Sequence, residues 1–157
     1  KYHYAPQTGT ITFLPYGALV DHFQEWVYSN PEATPAERKA QWLVLEGQYM
    51  PWVDYADNEF LASGGRWQRQ GHLFWSAFYY IDYCLAQFSA MQVFLRAQDD
   101  PKAAWRDYVA MCDAAGSVDF VDMLAAGNIG SPFDAAVVGR TLEGIAADIA
   151  SIDTASF

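Results

Sequence analysis

The stretch Thr34-Pro35-Ala36-Glu37 writes out a helix start in full. A threonine can accept from the third helical N–H, a proline with a pre-set φ takes the first helical position, and a glutamate reaches back to the threonine backbone. This capping box predicts a helix from Pro35 to about Tyr49. Similar punctuation recurs along the chain. Upstream, Leu19, Val20, Phe23, Trp26 and Val27 fall at i, i+1, i+4, i+7 and i+8, one stripe of an amphipathic helix that should stop near Asn30, because Pro31 biases the preceding residue away from helix. "PWVDYADNEFLASGG" reads as a connector with one short helix, ended by Gly64 and Gly65. Arg66 to about Gln98 is the longest helical region, with an interruption near Ser76, itself an N-cap candidate. Asp100 with Pro101 starts a helix that Gly116 ends, Ser117 begins a short one stopped near Gly127, and Ser131 with Pro132 starts the last, to about Ala150. The opening "KYHYAPQTGTITFLPYG" fits either an extended segment or a loop. With no repeat, low-complexity tract or flexible linker, the expected fold class is all-α, a multi-helix bundle forming a single domain over residues 1–157.

Composition agrees with a packed core and excludes several functions. Of 157 residues 52% are hydrophobic and 18% charged, which is incompatible with general disorder. A formal charge of -10 sets most of the surface against a phosphate backbone, so nucleic acid is not expected as a partner. No run of about 18 apolar residues offers a membrane span, and no basic-then-apolar leader resembles a signal peptide. Cys84 and Cys112 are isolated thiols in helical segments without a C-x-x-C pattern, which fits a reducing, cytoplasmic compartment.

The segment "GHLFWSAFYYIDYCLAQ" sets His72 close to Tyr79, Tyr80 and Tyr83. At about 100° per residue, the three phenols would share one helical arc roughly 100° wide. Two readings follow. The face is core, with aromatics packed against neighbouring helices, or it is a row of phenol donors aimed at a polar ligand with His72 as a further donor. Buried phenols without partners cost roughly 1–3 kcal/mol each, and phenylalanine would pack more cheaply. Phenols stay protonated at neutral pH and can donate to an oxygen that gains negative charge.

The segments "LPYGALVDHFQEWVY", "NPEATPAERKAQW", "YMPWVDYADNEFL", "GGRWQRQGHLF", "FYYIDYCLAQ" and "SPFD", in that order, resemble the C-terminal helical part of bacterial oligoendopeptidase F-type zinc metallopeptidases, relatives of thimet oligopeptidase. The resemblance runs from about Phe13 to about Ile149. It implies that His72 hydrogen-bonds the substrate backbone, that Tyr83 stabilises the oxyanion, and that Tyr80, with Tyr79 as a fourth member, holds a short peptide. Such enzymes bind zinc through H-E-x-x-H, where two histidines share a helix face and the glutamate is the general base, plus a further glutamate. Here the histidines are His3, His22 and His72, and no two are four apart. The resemblance therefore implies a C-terminal fragment lacking the upstream zinc-binding part. Zn is expected in the full-length protein, none in this chain, and the chain alone is expected to be inactive. Self-association through the exposed cleft surface is a further expectation.

Other motif classes are missing: no G-x-S-x-G elbow, no Gly-rich phosphate loop, and no basic neighbour beside either cysteine. His22, next to Asp21, reads as one polar residue on a solvated helix face. Arg66 and Arg69 either receive a peptide carboxylate or simply lie on a helix surface. A stand-alone α-helical binding or scaffold module, with no catalytic role, is the alternative to the peptidase reading.

Overall fold

The computed structural model describes residues 4–156, so His3 lies outside the described residues. Helix α1 spans Tyr4–Ser29 and α2 spans Pro35–Tyr49. A wide π-type turn, Leu61–Gly65, runs into a tight turn, Arg66–Arg69. A single helical turn α3, His72–Trp75, precedes α4, Tyr80–Asp99. Then follow α5, Pro101–Ala114, α6, Phe120–Ala126, and α7, Ala135–Ser151. The fold is all-α, with no strand among the described residues. No helix among them is long and apolar enough to cross a membrane.

The capping box forms as its sequence dictates. Thr34 N–H donates to Glu37 Oε2 at 2.7 Å, and Glu37 N–H donates to Thr34 Oγ1 at 3.3 Å. The Thr34 N–H and its hydroxyl, which also donates to Glu37 Oε2 at 2.7 Å, hold the Glu37 carboxyl below its usual range. Asp100 caps α5 by accepting from the Lys102 and Ala103 N–H groups. The last two starts differ from the serines expected. Asp119 caps α6 and Asp134 caps α7, since a carboxylate satisfies the free N–H groups and also favours the positive end of the helix dipole. Ser117 instead donates to the Ala114 carbonyl at 2.7 Å, and Ser131 accepts from Phe133 N–H at 3.2 Å in the turn before α7.

The opening segment, expected as extended or loop, is helical from Tyr4 and carries Pro15 inside α1. A proline there removes one backbone donor and crowds the preceding turn. Packing outweighs that propensity, because the residues just after it, Leu19, Val20 and Phe23, are buried almost completely.

The described residues form two compact units, one of Thr12–Cys84, the other of the residues up to Ile11 with those from Leu85 onward. In the first unit Leu19, Val20, Phe23, Trp42, Leu45, Met50 and Trp67 make the core. Phe23 is its hub, with ring centroids 5.1 Å from Trp42 and 5.4 Å from Trp67. Gly64, at φ 81, is buried there; a Cβ would lie 2.3 Å from the Lys39 carbonyl oxygen, so only glycine lets the π-type turn close on α2. In the second unit Phe88, Met91, Ala104, Leu124, Ile129 and Ile145 are buried. Gln92 fastens Gly130 by both its amide ends, and Arg96 pairs with Asp107 at 2.6 Å.

Candidate active site

Everything around the tyrosine segment up to Cys84 belongs to the first unit. The long helical region is interrupted between Trp75 and Tyr80, at Ser76 where the sequence placed a break. Ser76 N–H closes the turn on the His72 carbonyl at 3.0 Å, and Phe78 turns left-handed at φ 54. A phenylalanine there is strained, and the strain is held by tertiary structure: Phe78 N–H donates to Oε1 of the buried Gln24 at 2.8 Å. Two of the three phenols belong to the helix itself. Tyr80 and Tyr83 stand on the first turn of α4, and Tyr79 precedes it.

The break nevertheless brings the four residues together. The His72 ring lies 5.0 Å from that of Tyr80, 5.6 Å from that of Tyr83, and 6.1 Å from that of Tyr79, with which it is stacked within 3°. Tyr83 meets Tyr79 at 5.3 Å and Tyr80 at 5.4 Å, both edge-to-face. Tyr83 Oη is 3.4 Å from His72 Nε2.

Burial separates the tyrosines. Tyr80 is half-buried, its ring 5.9 Å from both Phe13 and Tyr16, and burial, with Tyr16 adding to it, pushes its phenol up to about 12. Tyr79 and Tyr83 remain 48% and 40% exposed, so core packing does not account for their hydroxyls. The Tyr83 phenol is raised too, by desolvation and by its bond with Tyr79. The raised phenols of Tyr80 and Tyr83 keep their protons at neutral pH.

Several partners have no signal in the local sequence. Gln70 Nε2 lies 2.7 Å from His72 Nδ1, and Tyr16 Oη donates to Gln70 Oε1 at 2.8 Å across 54 residues of chain. The Arg66 guanidinium sits over the Tyr16 ring, 4.7 Å from its centroid. Arg66 in turn donates to the buried Glu46 at 3.2 Å and to Tyr55 Oη at 3.2 Å, and Tyr55 donates to Glu46. Burial and the Glu46 bond push the Tyr55 phenol up to about 12. Arg66 is thus tied inward and not held ready for a carboxylate, whereas Arg69 is exposed. Only the spacing of Gln70 and His72 in "RQGH" hinted at this network.

His22 Nδ1 meets Tyr49 Oη at 3.2 Å on an exposed face. Among the described residues no group of three or more His, Cys, Asp or Glu is placed to hold a metal ion, so the side chains present do not fit a zinc site. Cys84 is buried, its thiol pushed up by burial to about 11, and Cys112 is exposed.

No family model and no curated protein matches the chain. Solved structures do. One named as an oligoendopeptidase F, from crystals grown by microfluidic seeding, superposes with a TM-score of 0.95 at 46% identity over 100% of this chain. The chain is related to oligoendopeptidase F along its whole length. PZ peptidase A with an inhibitor gives a TM-score of 0.93 at 45% identity over 97% of the chain. An oligoendopeptidase F from Bacillus anthracis str. Ames gives 0.80 at 36% identity over 99%. The chain spans 28%, 27% and 24% of the length of these three structures, about a quarter of each.

Proposed function

We propose that this chain is the C-terminal, substrate-binding part of a cytoplasmic zinc-dependent oligopeptidase acting on short peptides. The observation that carries the reading is the convergence of His72 with Tyr79, Tyr80 and Tyr83 while two of the phenols stay exposed. Tyr83 donates its hydroxyl to the scissile carbonyl oxygen as that oxygen gains negative charge, and His72 acts beside it on the peptide backbone. Tyr80 and Tyr79 hold the peptide, the first fixed by its packing, the second open to solvent. The metal would supply the activated water, and its ligands would lie outside the residues described here, which do not fit it. The relation to oligoendopeptidase F and the donor cluster support this reading together.

The test is steady-state kinetics and a thermal melt on Tyr83→Phe in the complete peptidase. A donor whose bond strengthens only as charge develops is worth on the order of 10²–10³ in turnover. Turnover should fall by that order, KM should change much less, and the melting temperature should hold. Near-normal turnover with lowered stability would show that Tyr83 is a packing residue.

A further inference from the structure

We infer that Gln70 is a positioning residue, which fixes His72 as the neutral tautomer with its proton on Nε2, pointing at Tyr83. The inference rests on the reading of His72 and Tyr83 as substrate-facing donors, but its geometry is independent of that reading. A neutral imidazole has one donor and one acceptor nitrogen, and the hydrogen bond at one nitrogen sets the role of the other. Gln70 faces Nδ1 at 2.7 Å. If its NH₂ end lies there, Nδ1 accepts and Nε2 carries the proton; if its carbonyl end lies there, the assignment inverts.

The remainder of the network decides between the two. Arg66 has donors only, and its place is fixed by the ion pair with the buried Glu46 at 3.2 Å. Its guanidinium lies over the Tyr16 ring, 4.7 Å from the centroid, where the positive charge strengthens the phenol as a donor. The Tyr16 hydrogen donates to Gln70 Oε1, at 2.8 Å. Turning the amide over would aim an N–H at the phenol oxygen and leave the phenol hydrogen without an acceptor in a part-buried place. Direction thus passes from Tyr16 through Gln70 to His72. At the far end Nε2–H points to Tyr83 Oη, 3.4 Å away. At 3.4 Å that contact is long, so Nε2–H remains the donor that His72 can offer to a peptide backbone.

The experiment is NMR of isotope-labelled imidazole nitrogens in the full chain, without substrate, at a pH where His72 is neutral, its signals assigned by their loss in His72→Asn. In the unaltered chain Nε2–H should be the major tautomer. Gln70→Glu keeps an acceptor for Tyr16 but offers a carboxylate to Nδ1, so the major tautomer should reverse. Tyr16→Phe removes the donor that orients the amide, keeps the ring, and should shrink the preference towards a mixture. An Nδ1–H tautomer in the unaltered chain, or unchanged tautomers in both variants, would overturn the inference. If Gln70→Glu does not fold, the unaltered chain and Tyr16→Phe decide it. The readout needs no catalysis. Expected tautomers together with normal turnover of Tyr83→Phe would sink the donor reading and leave Gln70's role standing.

Discussion

Glu46→Ala should destabilise the unit of Thr12–Cys84 far more than an exposed ion pair would. Glu46 is 5% exposed and is the acceptor shared by Arg66 and Tyr55. Exposed pairs contribute about 0–1 kcal/mol, whereas removing one partner of a buried pair costs about 3–5 kcal/mol because the other charge is left uncompensated. Here the Arg66 side chain retains 27% exposure, so part of its charge can be rehydrated. The bond to Tyr55 is lost as well, at roughly 1 kcal/mol net. These effects place Glu46→Ala at about 3 kcal/mol. Arg66→Met keeps an apolar stem against Tyr16 while removing the charge. The double variant should then be less destabilised than the sum of the singles by about 2 kcal/mol, the coupling of a buried pair. Urea unfolding followed by tryptophan fluorescence reads this, since Trp42 and Trp67 lie in the same core. A shift in midpoint at constant slope is a change in stability. A cost under about 0.5 kcal/mol for Glu46→Ala, or simple additivity, would refute the argument that Glu46 and Arg66 form a buried, coupled pair.

Two further outcomes follow from burial. The phenols of Tyr55 and Tyr80 are raised from 10.0 to about 12, so above pH ~10 the unfolded chain loses those protons first, binds fewer than the folded chain, and stability falls as pH rises towards 12; a spectroscopic alkaline titration in which all tyrosines ionise together near pH 10 with the fold intact would contradict this. Phe74, Trp75 and Phe78 are 58%, 78% and 44% exposed beside the tyrosines, so the chain should self-associate at high concentration and bind a hydrophobic dye; a clean monomer by sedimentation with little dye bound would count against it.

What could be read from the sequence was local. The capping box at Thr34 lies within one turn and formed as written, and the stops near Asn30, Tyr49, Gly116 and Gly127 obey nearest-neighbour rules in the same way. Where two caps competed within a few residues, as with Ser117 against Asp119 and Ser131 against Asp134, the stronger acceptor won. The helix through Pro15 was illegible because its cause is burial against distant residues, which no local preference encodes.

The candidate site repeats that division, with a consequence for how it works. Its donors could be named from the tyrosine segment, but a regular helix would have carried Tyr79, Tyr80 and Tyr83 side by side, with His72 two turns earlier and no means of fixing its ring. The left-handed Phe78, held by Gln24, interrupts the chain just before the tyrosines, and His72 lies against all three rings. Gln24 and Tyr16 both come from α1, each 54 residues before its partner, so one helix sets both the turn that gathers the donors and the amide that orients the imidazole. A strained residue and an indirect hydrogen-bond chain are poor devices for stability alone, since phenylalanine side chains and a continuous helix would pack at lower cost. They suit a site whose groups must be aimed before substrate arrives, because donors already in place need no reorganisation as charge develops.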